Sequence, residues 1–100
     1  MEKKEIIMEI NNENGKFSIE LDGKKLIINA WNGNTKTYPI NKLPASAVGN
    51  CIMWMDVDEI KKLRKMIGDD KTRSAIMWAV KWQTIDLETK NDFLAVLSAQ

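Results

Sequence analysis

The run Ala75-Ile-Met-Trp-Ala-Val80, continued by Trp82, is apolar at every position except Lys81. If this run is helical, it presents two apolar faces. One face has the spacing i, i+3, i+4, i+7 and consists of Ala75, Trp78, Ala79 and Trp82, and the other consists of Ile76, Met77 and Val80. A helix that is apolar on two sides is buried between other elements, or lies between one element and a partner. We therefore expect this helix to be the centre of the fold.

Length and composition predict a single domain over residues 1–100. One hundred residues with a 44% hydrophobic share are enough for a core, and disorder is not expected. No apolar run reaches the roughly 20 residues that span a bilayer. Met1-Glu-Lys-Lys-Glu5 lacks the features of a signal peptide. The single cysteine, Cys51, has no partner for an internal disulfide, so we expect a cytoplasmic protein without membrane contact.

The net charge of +1 is unevenly distributed along the chain. Residues 23–43 contain four lysines and no acid, and residues 61–83 contain seven Lys and Arg against two Asp. The other segments, 1–22, 44–60 and 84–100, are net acidic. This pattern indicates a polarised surface and excludes the uniformly basic composition of strong nonspecific DNA-binding proteins.

The first half of the chain alternates apolar and polar residues with the period of a β-strand. Segments 5–10 and 17–21 show this alternation, and the dipeptides Asn14-Gly15, Asp22-Gly23 and Asn32-Gly33 are typical of tight hairpin turns. After a predicted loop over residues 41–50, the short apolar run 51–55 predicts a fifth strand. The pattern predicts an antiparallel β-meander of four to five strands over about residues 5–55.

Two-residue loops at the second and third of these turns predict the cross-strand register. The first pairs Glu20 with Lys25, and the second pairs Ile27 with Tyr38. One face of the sheet is then apolar and consists of Phe17, Ile19, Leu21, Leu26, Ile28 and Ala30. The other face is mixed and consists of Glu20, Lys25, Ile27, Asn29, Trp31, Lys36 and Tyr38.

Three helices over about residues 56–99, packed on the sheet, are predicted to follow. Asp56-Val-Asp-Glu59 has the spacing of a capping box and begins the first. The run that ends at Trp82 forms the second, capped by one of the two aspartates at 69–70. Thr89-Lys-Asn-Asp92 is another capping box and begins the third. Strands followed by helices make the fold class α+β.

The sequence lacks the residues for several kinds of chemistry. It contains no histidine, which excludes Ser-His-Asp and Cys-His catalysis and zinc sites that need imidazole. The acids Asp56, Asp58 and Glu59 have the spacing of helix caps, the alternative being a Mg²⁺ site completed by residues 69–70. Cys51 is interpreted as a small buried hydrophobe, the alternative being a redox thiol. We therefore expect a non-enzymatic protein with no cofactor and no metal.

The mixed face of the sheet is the first candidate binding site. Trp31 and Tyr38 lie there beside Lys25 and Lys36 in the predicted register. Aromatic side chains flanked by lysine stack bases in single-strand-binding proteins, and Trp and Tyr also dominate protein-binding hot spots. The alternative is that helices cover this face and its aromatics belong to the core.

Lys61, Lys62 and Lys65 cluster on one side of the first predicted helix and form a second candidate binding site. Such a cluster suits a phosphate backbone, although it is also the ordinary solvated face of an amphipathic helix. A third surface is the apolar helix around Trp78 and Trp82. If other elements do not cover both of its faces, the spare face is an interface with a second copy or with another protein.

These features favour a small intracellular binding protein that docks on another protein. The concrete form that we expect is a phage or mobile-element accessory protein that inhibits a host defence protein, for example of a CRISPR system. The alternative is a nucleic-acid-binding module that uses Trp31, Tyr38, Lys25 and Lys36. Salt-dependent binding of single-stranded oligonucleotides distinguishes the two functions.

Overall fold

The computed structural model describes residues 6–12, 15–30 and 33–98. Over these residues the fold is α+β as predicted, with four strands followed by four α-helices where the sequence predicts three. Contacts between backbone positions divide the chain into two compact units, Met1–Leu43 and Pro44–Gln100. The first contains the sheet and the second contains the helices, and we call them the sheet unit and the helical unit.

The sheet is an antiparallel meander with the strand order β1-β2-β3-β4, which confirms the predicted meander. Its strands are β1 (Ile6–Asn12), β2 (Gly15–Asp22), β3 (Lys25–Asn29) and β4 (Thr35–Pro39). A 3₁₀ turn, Ile40–Lys42, ends the unit. Six side chains on one face are at most 8% exposed: Met8, Ile10, Phe17, Ile19, Leu21 and Leu26. The period-two alternation therefore identified the apolar face correctly.

The turn between β2 and β3 lies one residue later than predicted. Asp22 pairs with Lys25, so the two-residue loop is Gly23-Lys24. Glu20 consequently pairs with Ile27, and the opposite charges that face each other across the ladder are those of Asp22 and Lys25. Because every partner moves by two positions, an even number, each side chain keeps its predicted face.

The turn between β3 and β4 contains one residue more than predicted. Ala30 donates to the Asn34 carbonyl at 2.8 Å, and Gly33 donates to the Ala30 carbonyl at 3.0 Å. Gly33 has a φ of 91°, which suits the glycine of the three-residue hairpin loop with a bulge. Tyr38 consequently pairs with Leu26 and not with Ile27. A shift of one residue moves the side chains of β4 to the opposite face of the sheet.

The predicted loop over residues 41–50 and the predicted fifth strand over residues 51–55 are both wrong. Residues Ala45–Ile52 form helix α1, whose first turn follows Pro44. Val48, Cys51 and Ile52 are buried on one side of it, with the spacing of a helix. Helix α1 consists largely of small residues, which do not form a clear apolar stripe in the sequence. The short apolar run over residues 51–55 is the stronger pattern there, and it is typical of a strand.

Helices α2 (Val57–Ile67), α3 (Asp69–Lys81) and α4 (Leu87–Ser98) complete the helical unit. The capping box of α2 is confirmed, because Glu59 N–H donates to the Asp56 carboxylate and Asp56 N–H donates to the Glu59 carboxylate. Gly68 is the N-cap of α3, so the predicted aspartate cap is wrong. Thr89 N–H donates to Asp86 at 2.8 Å, so α4 begins three residues before its predicted capping box.

Helix α3 is the centre of the helical unit, because it contacts α1, α2 and α4. Ala75, Ile76 and Ala79 are fully buried along it. The one buried polar residue among the described residues is Thr72, whose hydroxyl donates to the Gly68 carbonyl at 2.7 Å. The side chain of Arg64 on α2 donates to Asp69 on α3 and to the Val96 carbonyl on α4, and so connects three helices. The central position predicted for this helix is confirmed within the unit.

Candidate functional site

Trp78 and Trp82 lie one turn apart on α3 and contact each other, and we call them the tryptophan pair. Their ring centroids are 5.9 Å apart and their planes are inclined by 42°. This separation is typical of attractive aromatic pairs. Trp78 is half-buried, whereas Trp82 is 60% exposed. One indole of the pair is therefore available to a partner.

Trp78 is fixed in place by helix α1. A Cβ atom built on Gly49 would lie 2.5 Å from Cε3 and 2.9 Å from Cδ2 of Trp78. Since real contacts of a Cβ atom are longer than this, only glycine leaves room for the indole against the backbone of α1. The close approach makes Trp78 a rigid support for the exposed ring of Trp82.

The end of α3 holds the backbone of Trp82 in a defined conformation. Gln83 has a φ of 60°, and its N–H donates to the Val80 carbonyl at 2.9 Å. Thr84 N–H donates to the Ala79 carbonyl at 2.9 Å, and the Thr84 hydroxyl donates to the same oxygen at 3.1 Å. These bonds form a Schellman motif, in which glycine is the usual residue at the position of Gln83. The motif ends α3 at Lys81, with Trp82 as the C-cap residue.

Several other large apolar side chains of the helical unit are exposed. With Trp82, the exposed set consists of Met53, Val57, Met77 and Leu87. Trp82 and Leu87, at 60% and 64%, lie on either side of the short connection between α3 and α4. No described side chain of the sheet unit belongs to this set. Exposed apolar surface in the described part of the chain is thus concentrated on the helices.

The sheet carries a polar network on the face opposite its buried side chains. The Asn29 amide donates to the Ser18 hydroxyl at 3.0 Å and to the Glu20 carboxylate at 2.8 Å. The Thr35 hydroxyl donates to Oδ1 of the Asn29 side chain at 2.8 Å. These bonds cross three strands, so the network fixes β2, β3 and β4 in register.

The predicted mixed face is not formed as expected. Lys36 pairs with Ile28 and Tyr38 pairs with Leu26, so both lie on the face of the buried side chains. Lys25 remains on the face of Asn29. The extra residue in the β3–β4 loop therefore separates Lys25 from the other two predicted binding residues. Trp31 lies outside the described residues.

Lys61, Lys62 and Lys65 are exposed on α2, as their sequence pattern predicts. They lie away from Ile60 and Leu63, which are fully buried. Their role in partner binding stays a prediction.

The acids and the cysteine have structural roles. Asp56 and Glu59 cap α2, and partial burial raises the pKa of the Glu59 carboxyl above its usual range. Among the described residues no three His, Cys, Asp or Glu side chains converge on a possible metal position. Cys51 is 9% exposed, and its burial raises the pKa of the thiol to about 12. The thiol is therefore protonated at neutral pH, which suits a packed apolar residue.

A cavity of about 220 Å³ lies in the sheet unit. Its wall consists of Glu9, Lys16, Phe17, Ser18, Asn29, Ala30 and Gly33. The Asn29 amide, its central polar group, already donates to two side chains and accepts from a third. The hydrogen bonds of the Asn29 side chain are therefore made within the sheet, and the charged groups in the wall, Glu9 and Lys16, are exposed.

The exposure of Trp82 could not be read from the sequence. Helical spacing places this residue on an apolar face, but that face continues past the last turn of α3. The only local signal is the polar pair Gln83-Thr84, which ends the apolar run at this residue. Tertiary packing buries Ala75 and Ala79 of this face and leaves its last position, Trp82, open.

Comparisons of the chain with protein-family models, with curated proteins and with solved structures gave no match. Among the described helices, none has the length and apolar character needed to cross a membrane.

Proposed function

We propose that the protein acts by docking on another protein, with the tryptophan pair of α3 as its anchor. The observation that carries this proposal is the 60% exposure of Trp82 beside a partner ring that is itself packed. Tryptophan is among the residues most enriched in binding hot spots, because its large apolar surface is removed from water on association.

The support beneath Trp82 favours binding over a chance exposure. Ordering a flexible side chain at an interface costs about 0.5–1.5 kcal/mol. Trp82 contacts Trp78, which lies against Gly49, and its backbone is held by the hydrogen bonds of Gln83 and Thr84. A side chain that is already positioned loses less entropy on binding, so more of its buried area contributes to affinity.

The form of docking that we propose is inhibition of a target by a small cytoplasmic accessory protein of a phage or mobile element, such as one directed at a CRISPR effector. This form rests on the size of the chain and on its lack of a histidine-based catalytic set. The nucleic-acid alternative uses Trp31, Tyr38, Lys25 and Lys36 on one sheet face, and the register separates Lys25 from Lys36 and Tyr38. No specific observation therefore favours it over protein docking.

Affinity capture with matched variants tests the proposal. Wild-type protein, Trp82→Ala and Met77→Ala are immobilised and exposed to lysate of a candidate host, and the retained proteins are quantified. Met77 is the control because it is apolar, 44% exposed and on the same helix. We expect a protein that wild type and Met77→Ala retain and that Trp82→Ala binds at least about tenfold more weakly, as for a hot-spot residue.

Two outcomes would contradict the proposal. Equal retention by Trp82→Ala and wild type would show that the tryptophan pair is not the anchor. A native mass of two chains for wild type, reduced to one by Trp82→Ala, would assign the surface to a homodimer. Inhibition is tested next, by adding wild type and both variants to an activity assay of the retained protein.

A further inference from the structure

Strand β4 is an outer strand of the sheet, and one of its backbone edges is open. Ala30 N–H donates to the Asn34 carbonyl, and Ile40 N–H donates to the Lys24 carbonyl at 2.9 Å. In an antiparallel ladder, hydrogen-bonded residues alternate along the strand. Even-numbered residues of β4 therefore point their backbone groups at β3, and the odd-numbered residues Thr35 and Thr37 point theirs outward.

The outward groups of β4 form a short, exposed ladder. Thr35 and Thr37 each offer an N–H and a carbonyl, whereas Pro39 offers only a carbonyl. All three residues are exposed, and within the described chain no backbone hydrogen bond beyond the β3 ladder reaches them. Pro39 ends the ladder, as proline tends to do on an edge strand. The edge has room for one added strand of about five residues, the length of β4 itself.

The surroundings of this edge are positively charged. Lys24, Lys25, Lys36 and Lys42 are exposed, and residues 23–43 contain no acid. The acids Glu20 and Asp22 lie on β2, two strands away from this edge. If the β4 edges of two copies paired, the lysines of one copy would lie close to those of the other. Repulsion between these like charges disfavours such pairing. An acidic strand would instead gain attraction during the approach and across the ladder.

We infer that the β4 edge accepts an extended, acidic segment of a partner protein as a fifth strand. Backbone hydrogen bonds to Thr35 and Thr37 bind any extended segment, whatever its sequence. The lysines around the edge make the binding selective for an acidic segment. The inference deepens the proposed function, and rests on it in so far as the natural partner is a protein. It adds a second contact that is independent of Trp82.

Peptide titration of the full chain tests this edge directly. ¹⁵N-labelled protein is titrated with a blocked five-residue peptide that alternates valine with glutamate, and separately with one that alternates valine with lysine. We expect chemical-shift changes and slower amide exchange at Thr35 and Thr37 with the acidic peptide, and an affinity at least about tenfold higher than that for the basic peptide.

Two substitutions at one position provide the matched control. Thr37→Pro removes an outward N–H and leaves the ladder to β3 intact, so binding should be lost. Thr37→Val keeps the N–H and the β-branched shape, so binding should persist. Because proline could also destabilise β4, Lys36→Glu is measured as well, and its affinity for the acidic peptide should fall by at least about threefold.

Several results would overturn the inference. They are shift changes confined to the helical unit, equal affinity for both peptides, and unchanged binding by both Thr37→Pro and Lys36→Glu. Stronger binding of a single-stranded oligonucleotide at Thr35 and Thr37 would assign the edge to nucleic acid. Concentration-dependent dimerisation blocked by Thr37→Pro would assign it to a second copy. None of these results involves Trp82, so the proposed function is judged separately by the capture experiment.

Discussion

Replacing Gly49 with alanine should force α1 away from α3. The new methyl carbon would lie 2.5 Å from Cε3 of Trp78, where a contact of about 3.5–4.0 Å is needed. The helices must therefore separate by about 1 Å, or the indole must leave its rotamer. Overpacking of this kind costs about 1–3 kcal/mol. Alanine favours the helix over glycine by about 1 kcal/mol, which offsets part of that cost.

Because the methyl group would lie 2.5 Å from a ring carbon, the overpacking cost falls in the upper part of that range, about 2–3 kcal/mol. We therefore expect a net loss of about 1–2 kcal/mol in the free energy of unfolding of Gly49→Ala, measured by urea titration with circular dichroism. Asn50→Ala is the control, because Asn50 is exposed on the same helix and its replacement causes no clash. The helix propensity that it gains offsets the loss of the exposed hydrogen bond from the Asn50 amide to the Ser46 carbonyl. Its stability should stay within about 0.5 kcal/mol of wild type.

A double-mutant cycle assigns the cost to the indole. Trp78→Ala alone should destabilise the protein by about 3 kcal/mol, the lower end of the range for a large aromatic, because the ring is half-buried. In the Trp78→Ala background, Gly49→Ala should no longer destabilise, since the ring that it meets is absent. Two results would refute the contact between α1 and α3 at this position. One is a free energy of unfolding of Gly49→Ala equal to that of Asn50→Ala, and the other is a double variant whose loss equals the sum of the two single losses.

Three further predictions concern the backbone, the cysteine and the sheet register. Gln83→Gly should raise the free energy of unfolding by about 0.5–1 kcal/mol in urea titrations, because a φ of 60° is strained for glutamine, and Gln83→Ala should not. Burial raises the pKa of Cys51 to about 12 from 9.0, so the folded state keeps a proton that the unfolded state releases above about pH 9. Between about pH 9 and 12 wild type should therefore lose stability faster than Cys51→Ala, by up to about 1.4 kcal/mol per pH unit, and parallel pH profiles would contradict the burial. A nuclear Overhauser effect should be observed between the α-protons of Ile27 and Thr37. An effect between Thr37 and Ile28 instead would contradict this register and indicate the two-residue loop.

The strands were predictable because their signal is local. Alternation along residues 17–21 depends only on neighbours in sequence, and it identified the buried face. The register of β4 was not predictable, because the two-residue and three-residue loops both suit a glycine at position 33. A difference of one residue decides on which face Lys36 and Tyr38 lie.

Helix α1 and the exposure of Trp82 show the same dependence on distant residues. Helix α1 is short and contains Gly49, which disfavours a helix by itself, and it is stabilised by its contact with Trp78. Trp82 has the spacing of a buried residue, and its exposure depends on where the neighbouring helices end. The predicted site residues Lys61, Lys62 and Lys65 are exposed as expected. Whether they bind depends on the surface of a partner, which this sequence does not contain.

The order of the strands also sets how the chain can reach its native state. Each strand pairs with its neighbour in sequence, and the most distant pair, Ile6 and Leu21, is 15 positions apart. Gly49 and Trp78 are 29 positions apart. Each doubling of loop length adds about 0.6 kcal/mol to the entropic cost of closure, so we expect the hairpins to form before α1 meets α3. Refolding kinetics would contradict this order if Gly49→Ala slowed folding while Ile19→Val changed only the unfolding rate. During translation the hairpins also leave the ribosome first, so they can begin to pair while the helices are still being synthesised.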